Sequence, residues 1–396
     1  MTRADDIDAL VARWFQTEGP PSEGLPLAVA PFGPEEIAEA IDALLSGWLT
    51  MGPRVRAFET AWAQQVGCEH AVAVNSGSSA LLVLLCGLVE VGILEPGQEV
   101  VVPAVAWSTS LTSVARAGLT PVLVDVAAET LCLEGTFEQP VLAVHLLGCP
   151  SRARSPVVIE DACAAHGARV GERAVGSLGV GGAFSFFFSH HLTTGEGGLI
   201  TTSDEALANA CRSMRAHGWI RERSDRDELA ARYPSVDPRF LFVSAGFNLR
   251  PTELMGAFGI HQVERLESYV ATRNNNHRTW CTHLDSLGLP IKVFPEAAGT
   301  THAGFAFPLL LESDAPVSRA ELCGRLERQG IHTRPISGSN LARQPFFENI
   351  PGARVQGLLP VADAVHERGL FVGQSHAFGE EHLDRLARAL AVALDA

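Results

Sequence analysis

Between residues 70 and 202, short apolar runs that read as strands alternate with helical patterns. That alternation restricts the fold more than any other feature of the chain. HAVAVNSG is a buried strand ending in a glycine and serine turn, and SSALLVLLCGLVEVG is the helix after it. EVVVPAV, TPVLVDV, PVLAVHLL and PVVIEDAC are further strands, with STSLTSVARAG a helix between the first two. AFSFFF and GGLITTS form a strand pair around a turn. Parallel neighbours need a long crossover, which an intervening helix supplies. The pattern therefore predicts an α/β chain with a large, mainly parallel sheet. Such sheets bind ligands beyond the carboxyl ends of their strands, so the turns after these runs are where function is sought.

The flanking segments fill out the plan. Pro34-Glu35-Glu36 opens an amphipathic helix with Ile37, Ile41, Leu44 and Leu45 on one face, and a second helix runs from about Pro53 to Val66. Residues 203 to 216 read as a helix, residues 217 to 247 as an irregular, charge-rich link, and Thr252 to Leu284 as one long helix. Beyond it, IKVF, HAGFAFPLLL and IHTRPI read as strands, with SRAELCGRLERQG and EEHLDRLARALAVAL as helices. The expected division is an N-terminal arm over 1–30, a large ligand-binding domain over 31–275 and a smaller α+β domain over 276–396. A chain of 396 residues, 46% of them apolar, can bury two such cores.

Charge narrows the partners. A formal net charge of −15 argues against a nucleic-acid or anionic-membrane surface, although backbone amides can still hold a phosphate on an acidic protein. MTRADDIDALVARWF has no basic segment followed by an apolar run, and the longest apolar stretch, Ala80 to Val89, is far short of the roughly 20 residues that span a bilayer. A cytoplasmic protein with no membrane contact is expected. The eight cysteines form no C-x-C or C-x-x-C pair and read as buried, reduced thiols, with no metal site.

Several turns carry candidate chemistry. Asn75-Ser76-Gly77-Ser78-Ser79 lies between a strand and a helix, where free amides and hydroxyls cap the helix or take a phosphate. Asp161 ends VVIEDA, as a helix cap or as the carboxylate partner of a ring N–H. Trp107 follows EVVVPAV and offers a face for stacking. Ser185, His190 and His191 lie in FSFFFSHHLTTGEGG, and Asn248 in GFNLRPTE. An unperturbed imidazole titrates near pH 6.5 and serves both as base and as acid.

Together these pieces resemble the DegT/DnrJ/EryC1/StrS family, sugar aminotransferases with the type I aspartate-aminotransferase fold. The likeness spans about residues 27 to 390 and rests on SGWLTMGPRVRAFE, VNSGSSAL, VPAVAWSTSL, VIEDACAAHGA, MRAHG and GFNLRPTELMGAFGIHQVERL. It implies that Gly77, Ser78, Trp107, Asp161 and Ser185 hold pyridoxal phosphate (PLP) or pyridoxamine phosphate (PMP). It further implies that Asn248 reaches the cofactor phosphate of a neighbouring chain in a homodimer. The family's segment S-F-x-P-T-K-N-L-T-T-G-E-G-G places its Schiff-base lysine where this chain has His190. Imidazole forms no stable imine, so the cofactor is expected to be held without a covalent bond.

The His-His variant, with SGSNLARQPFFENIPG, is similar to the branch of nucleotide-linked 4-keto-6-deoxyhexose 3-dehydratases. That likeness implies PMP-dependent removal of the C3 hydroxyl in deoxysugar biosynthesis, with His190 as base and acid and an amino donor such as glutamate restoring PMP. Members of the branch that carry a [2Fe–2S] cluster have a C-x-C pair before GFNL. Residues 212 to 280 here contain no cysteine, so no iron–sulfur cluster is expected. Ala164 stands where the aminotransferases have a glutamine. Two other readings remain open: another PLP or PMP reaction such as sugar aminotransfer, and a non-catalytic partner subunit of an active family member. Substrate choice is expected to rest on residues 217–247 and on the neighbourhood of Ser339 and Arg343.

Overall fold

The computed structural model describes residues 3–17 and 24–395. An eight-stranded sheet organises the larger part of the chain. Its spatial order is His70–Val74, Gly198–Thr202, Gly181–Ser185, Val158–Asp161, Val141–Val144, Glu99–Pro103, Thr120–Val124 and Arg354–Val355. Only Gly198–Thr202 runs against the others. The parallel centre explains the continuous apolar runs: strands covered on both faces need no polar alternation. Val72, Leu84, Leu88, Val102, Leu142, Ile159 and Ile200 are fully buried in one core around this sheet. Each such side chain contributes about 1.5–3 kcal/mol.

A second, four-stranded antiparallel sheet holds Ile291–Lys292, Ala306–Leu311, Gly369–Gly373 and Thr333–Pro335 in that order. Its own core includes Trp280, Phe307, Leu322, Leu370 and Leu386. The fully buried Leu25 joins that core, and its amide donates to the Gly330 carbonyl at 3.0 Å. The N-terminal arm therefore docks on the C-terminal part. Its residues 18–23 lie outside the described residues. Among the described residues, no helix is long and apolar enough to cross a membrane.

Three readings of the sequence are corrected. Helix Pro34–Ser46 buries Glu36, Ala40 and Ala43, while Leu44 and Leu45 are more than half exposed. Two alanines permit a closer approach than leucines do, and Glu36 is held at this face by the Gly33 amide at 2.7 Å and by Arg265. The long helix is two, Glu253–Val263 and Leu266–Ser286. At the junction the Arg265 amide bonds the Gln262 carbonyl at 3.1 Å, a tightened turn with right-handed dihedrals. The apolar period runs on through it, so the break leaves no mark in the sequence. The 217–247 link contains a helix at Arg226–Arg232, and strand Gly369–Gly373 was not read at all.

Candidate active site

A cavity of about 640 Å³ opens at the carboxyl ends of the large sheet. It is lined by Gly77, Ser78, Trp107, Asp161, Ser185 and His190, which the sequence singled out. Asn248 is not on its wall. That side chain is exposed, and its Oδ1 accepts from Arg250 Nε at 3.0 Å. Ala164 does line the cavity.

Asp161 ends its strand and is 6% exposed. Its Oδ2 accepts from Ser110 Oγ at 2.7 Å and its Oδ1 from the Cys163 amide at 3.3 Å. Among the described residues no cation pairs with it. A buried carboxylate keeps its charge cheaply only when donors surround it. The free lone pairs on the cavity side suit a further N–H, which is the chemistry of a pyridine ring nitrogen.

Glu160, the preceding residue, faces the opposite side of the sheet and is fully buried. The amides of Gly176, Leu178 and Gly179 donate to it at 2.6, 2.7 and 2.8 Å. His145 adds Nε2 at 3.1 Å. The His145 Nδ1 accepts from the Ser151 amide at 3.0 Å, so the ring proton sits on Nε2 and is donated to Glu160. This pair was missed, although a polar residue directly after the apolar run VLAV was a usable signal. His145 also lines the cavity.

The other end of the cavity is an anion cradle. Gly77 and Ser78 begin helix Gly77–Glu90, and first-turn amides have no partner inside their own helix. Ser76 caps the turn by accepting from the Ser79 amide at 3.1 Å. A Cβ on Gly77 would stand 2.5 Å from the Ser185 Cβ and 2.9 Å from its Cα. Only glycine allows this approach, and it brings the Ser185 hydroxyl beside the helix start. Amides, two serine hydroxyls and the positive end of a helix fit a phosphate. Trp107 stands at the rim, 60% exposed, just before helix Ser108–Arg116.

His190 sits on the turn between strands Gly181–Ser185 and Gly198–Thr202, with its amide bonded to the Phe187 carbonyl at 3.0 Å. Its ring lies 5.1 Å from that of Phe305 and 5.9 Å from that of His166. Nδ1 is buried without a partner, which leaves Nε2 as the nitrogen open to the cavity. Burial, and then the charge of Arg273, push this imidazole down to about 3. The surroundings thus favour the neutral ring. His191 packs against the same Phe305 and His166 rings but is fully buried off the cavity wall, with Nε2 bonded to the Ala303 carbonyl at 3.1 Å. Among the described residues no cluster of metal-ligating side chains occurs. Neither Ser339 nor Arg343 reaches the cavity. Ser339 is buried, and Arg343 is paired with Asp363 at 2.8 Å and Glu367 at 3.0 Å. Arg334 and Ser337 from the smaller part line it instead.

Known proteins resemble this chain over most of its length. GDP-4-keto-6-deoxy-D-mannose 3-dehydratase of Yersinia pseudotuberculosis is 32% identical over 387 residues, covering 92% of this chain and 98% of its own. The lipopolysaccharide biosynthesis protein RfbH of Salmonella typhimurium is 30% identical, covering 89% and 87%. A crystal structure of GDP-4-keto-6-deoxymannose-3-dehydratase with a trapped PLP-glutamate geminal diamine superposes with a TM-score of 0.84 at 29% identity, over 92% of this chain and all of that one. The fold is thus that of the PLP-dependent aminotransferases. The model of the DegT/DnrJ/EryC1/StrS aminotransferase family matches residues 32–391, and the chain belongs to that family.

Proposed function

We propose that this chain removes the C3 hydroxyl of a nucleotide-linked 4-keto-6-deoxyhexose with the aid of PMP. His190 is the acid and base at the position where aminotransferases of the family carry lysine. The observation that carries this reading is His190 itself, an imidazole in the same cavity as a buried, cation-free Asp161 and an intact anion cradle. A site that had lost its chemistry has no reason to keep all three.

When bound, the cofactor supplies an amine that condenses with the C4 ketone and a ring that takes up an electron pair. Asp161 holds the ring N–H. Gly77, Ser78 and Ser185 hold the phosphate, and Trp107 covers the ring. His190 would act through Nε2 first as base and then as acid, delivering the proton to the departing C3 oxygen. A neutral imidazole of depressed basicity is a strong acid once protonated, which suits the second task. The overall products are a 3-deoxy-4-keto sugar and ammonia. The two electrons that replace C–O by C–H come from an amino donor such as glutamate, which leaves as its keto acid.

The cofactor is held non-covalently. Asn248, which lies outside its own cavity, serves the phosphate of a neighbouring chain, so the working unit is a homodimer. Residues 31–275 form its cofactor-binding domain and 276–396 its smaller domain. A core around each sheet supports two domains, but Leu341 and strand Arg354–Val355 join the larger one, and the 275 boundary falls within helix Leu266–Ser286.

The test is an absorbance spectrum of the purified protein with PLP, before and after glutamate, beside a His190→Lys variant. Product analysis with GDP-4-keto-6-deoxymannose completes it. Conversion of PLP to PMP by glutamate, with a 3-deoxy sugar and ammonia as products, is the expected result. An amino sugar in place of the deoxy sugar shows aminotransfer. A spectrum unmoved by glutamate in both proteins makes the chain a non-catalytic partner.

A further inference from the structure

Arg273 is 2% exposed, yet among the described residues it pairs with no carboxylate. Its Nη1 donates only to backbone carbonyls, at 3.0 Å to Gly304, 3.5 Å to Phe305 and 2.5 Å to Gln374. The Gln374 Nε2 donates back to the Arg273 carbonyl at 3.1 Å. A buried guanidinium without a counter-ion is costly, and a neutral amide can tie carbonyls as well. The charge therefore calls for a reason of its own.

The segment it holds is short and clamped. Gly304 has φ +62°, and a Cβ there would lie 2.9 Å from both the Cβ and the carbonyl oxygen of Arg273. On the other side, a Cβ on Gly148 would lie 2.7 Å from the Gly304 nitrogen, and the Ala303 amide bonds the Gly148 carbonyl at 2.8 Å. The clamped residues are those that touch the histidine turn. Ala303 receives the His191 Nε2, and the Phe305 ring lies against His190.

We propose that Arg273 is a positioning residue for His190. It fixes the 303–305 segment that sets Phe305 against the imidazole, and it keeps a full positive charge behind that ring. The imidazolium formed in turnover then surrenders its proton readily to the departing oxygen. This rests on the acid and base role proposed above for His190. Other ionisable groups around His190 are His166 and His191 behind it, and Asp161, Glu196, His145 and Arg334 on the cavity wall. Arg273 is the buried cation of this set, and its charge also disfavours protonation of His166, His191 and His376.

The test begins on the protein without added cofactor. Histidine rings are labelled with ¹⁵N, and the His190 signal is assigned by its loss in His190→Asn. In the parent chain His190 stays neutral as pH falls to 5. In Arg273→Gln its midpoint rises by about two units, so the ring takes up a proton as pH nears 5. In Arg273→Lys, which keeps the charge, it stays low. In the loaded enzyme the acid limb of kcat moves up in the Gln variant and is rescued by Lys. Identical His190 titration in all three proteins overturns the proposal. A folded Lys variant whose His190 titrates like a free histidine also overturns it, even where the Gln variant does not fold. The spectroscopic arm uses no substrate, so its failure counts against Arg273 alone. A shifted His190 in a protein that makes no deoxy sugar counts against the proposed reaction alone.

Discussion

The turn that carries His190 and the segment from 217 to 250 are both irregular links, yet they are held very differently. In the first, Gln262 grips Thr193 twice, through its Oε1 at 2.9 Å and its Nε2 at 2.7 Å, and His191 is bonded into the smaller part. In the second, Phe240 is 65% and Phe242 49% exposed, Trp219 stacks on Phe240, and Arg221 lies over the indole. His190 is thus fixed by the core of its own chain. The outer segment presents aromatic area and Asn248 to whatever lies outside. The turn that carries His190 and the outward-facing segment are thus held independently of one another.

The sharpest break would come from His190→Asn. Turnover should fall about 1000-fold, the range of a lost acid and base, while the melting temperature stays within a few degrees. Retention of a tenth of the activity, measured by deoxy-sugar formation, would show that the locked turn is not where the chemistry occurs.

Acid stability is the next test. His166, His190, His191 and His302 all lie in or against the locked region, and burial lowers the basicity of each. Unfolded, they bind protons near pH 6.5, so below that pH the unfolded state holds more protons than the folded one. Stability is therefore full above about 6.5 and declines as pH falls toward the folded values, by up to about 1.4 kcal/mol per group per pH unit. Denaturant unfolding at pH 7 and pH 5 measures this. A flat response would mean that these rings are not held neutral inside.

For the outer segment, Asn248→Ala should weaken PLP binding about tenfold, the effect of one hydrogen bond to a charged group. Mixing it with His190→Asn sharpens the point. If Asn248 serves the neighbouring site, hybrid dimers contain one site free of both defects and regain activity. No recovery after verified subunit exchange would place Asn248 in its own chain's site. An effect of about the same size, on stability, is expected from Ser110→Ala, which removes one of the two donors to Asp161. It should cost about 1.5 kcal/mol by thermal or chemical denaturation.

The sequence shows most clearly what is local. Apolar runs marked the strands of the large sheet, and glycine and serine turns marked the residues at their ends. Gly77, Asp161 and Ser185 stand beside clear strand patterns, but their roles, and His190 itself, were legible only through the family's motifs. Arg273 was not, because the carbonyls it holds lie 31 and 101 residues further along. A lone arginine in a polar helix gives no sign of burial. The face of helix Pro34–Ser46 was misread for a related reason. Two apolar stripes were available, and the choice between them depended on how closely a neighbouring helix can approach alanine.

Gly198–Thr202 is the one strand of eight that opposes its neighbours, and its hairpin with Gly181–Ser185 carries His190. The link between these two strands, residues 186–197, needs no crossover helix. The cross-strand bonds belong to the backbone, and the side chain at 190 carries none of them. A change of side chain at this position therefore costs the sheet no ladder hydrogen bond.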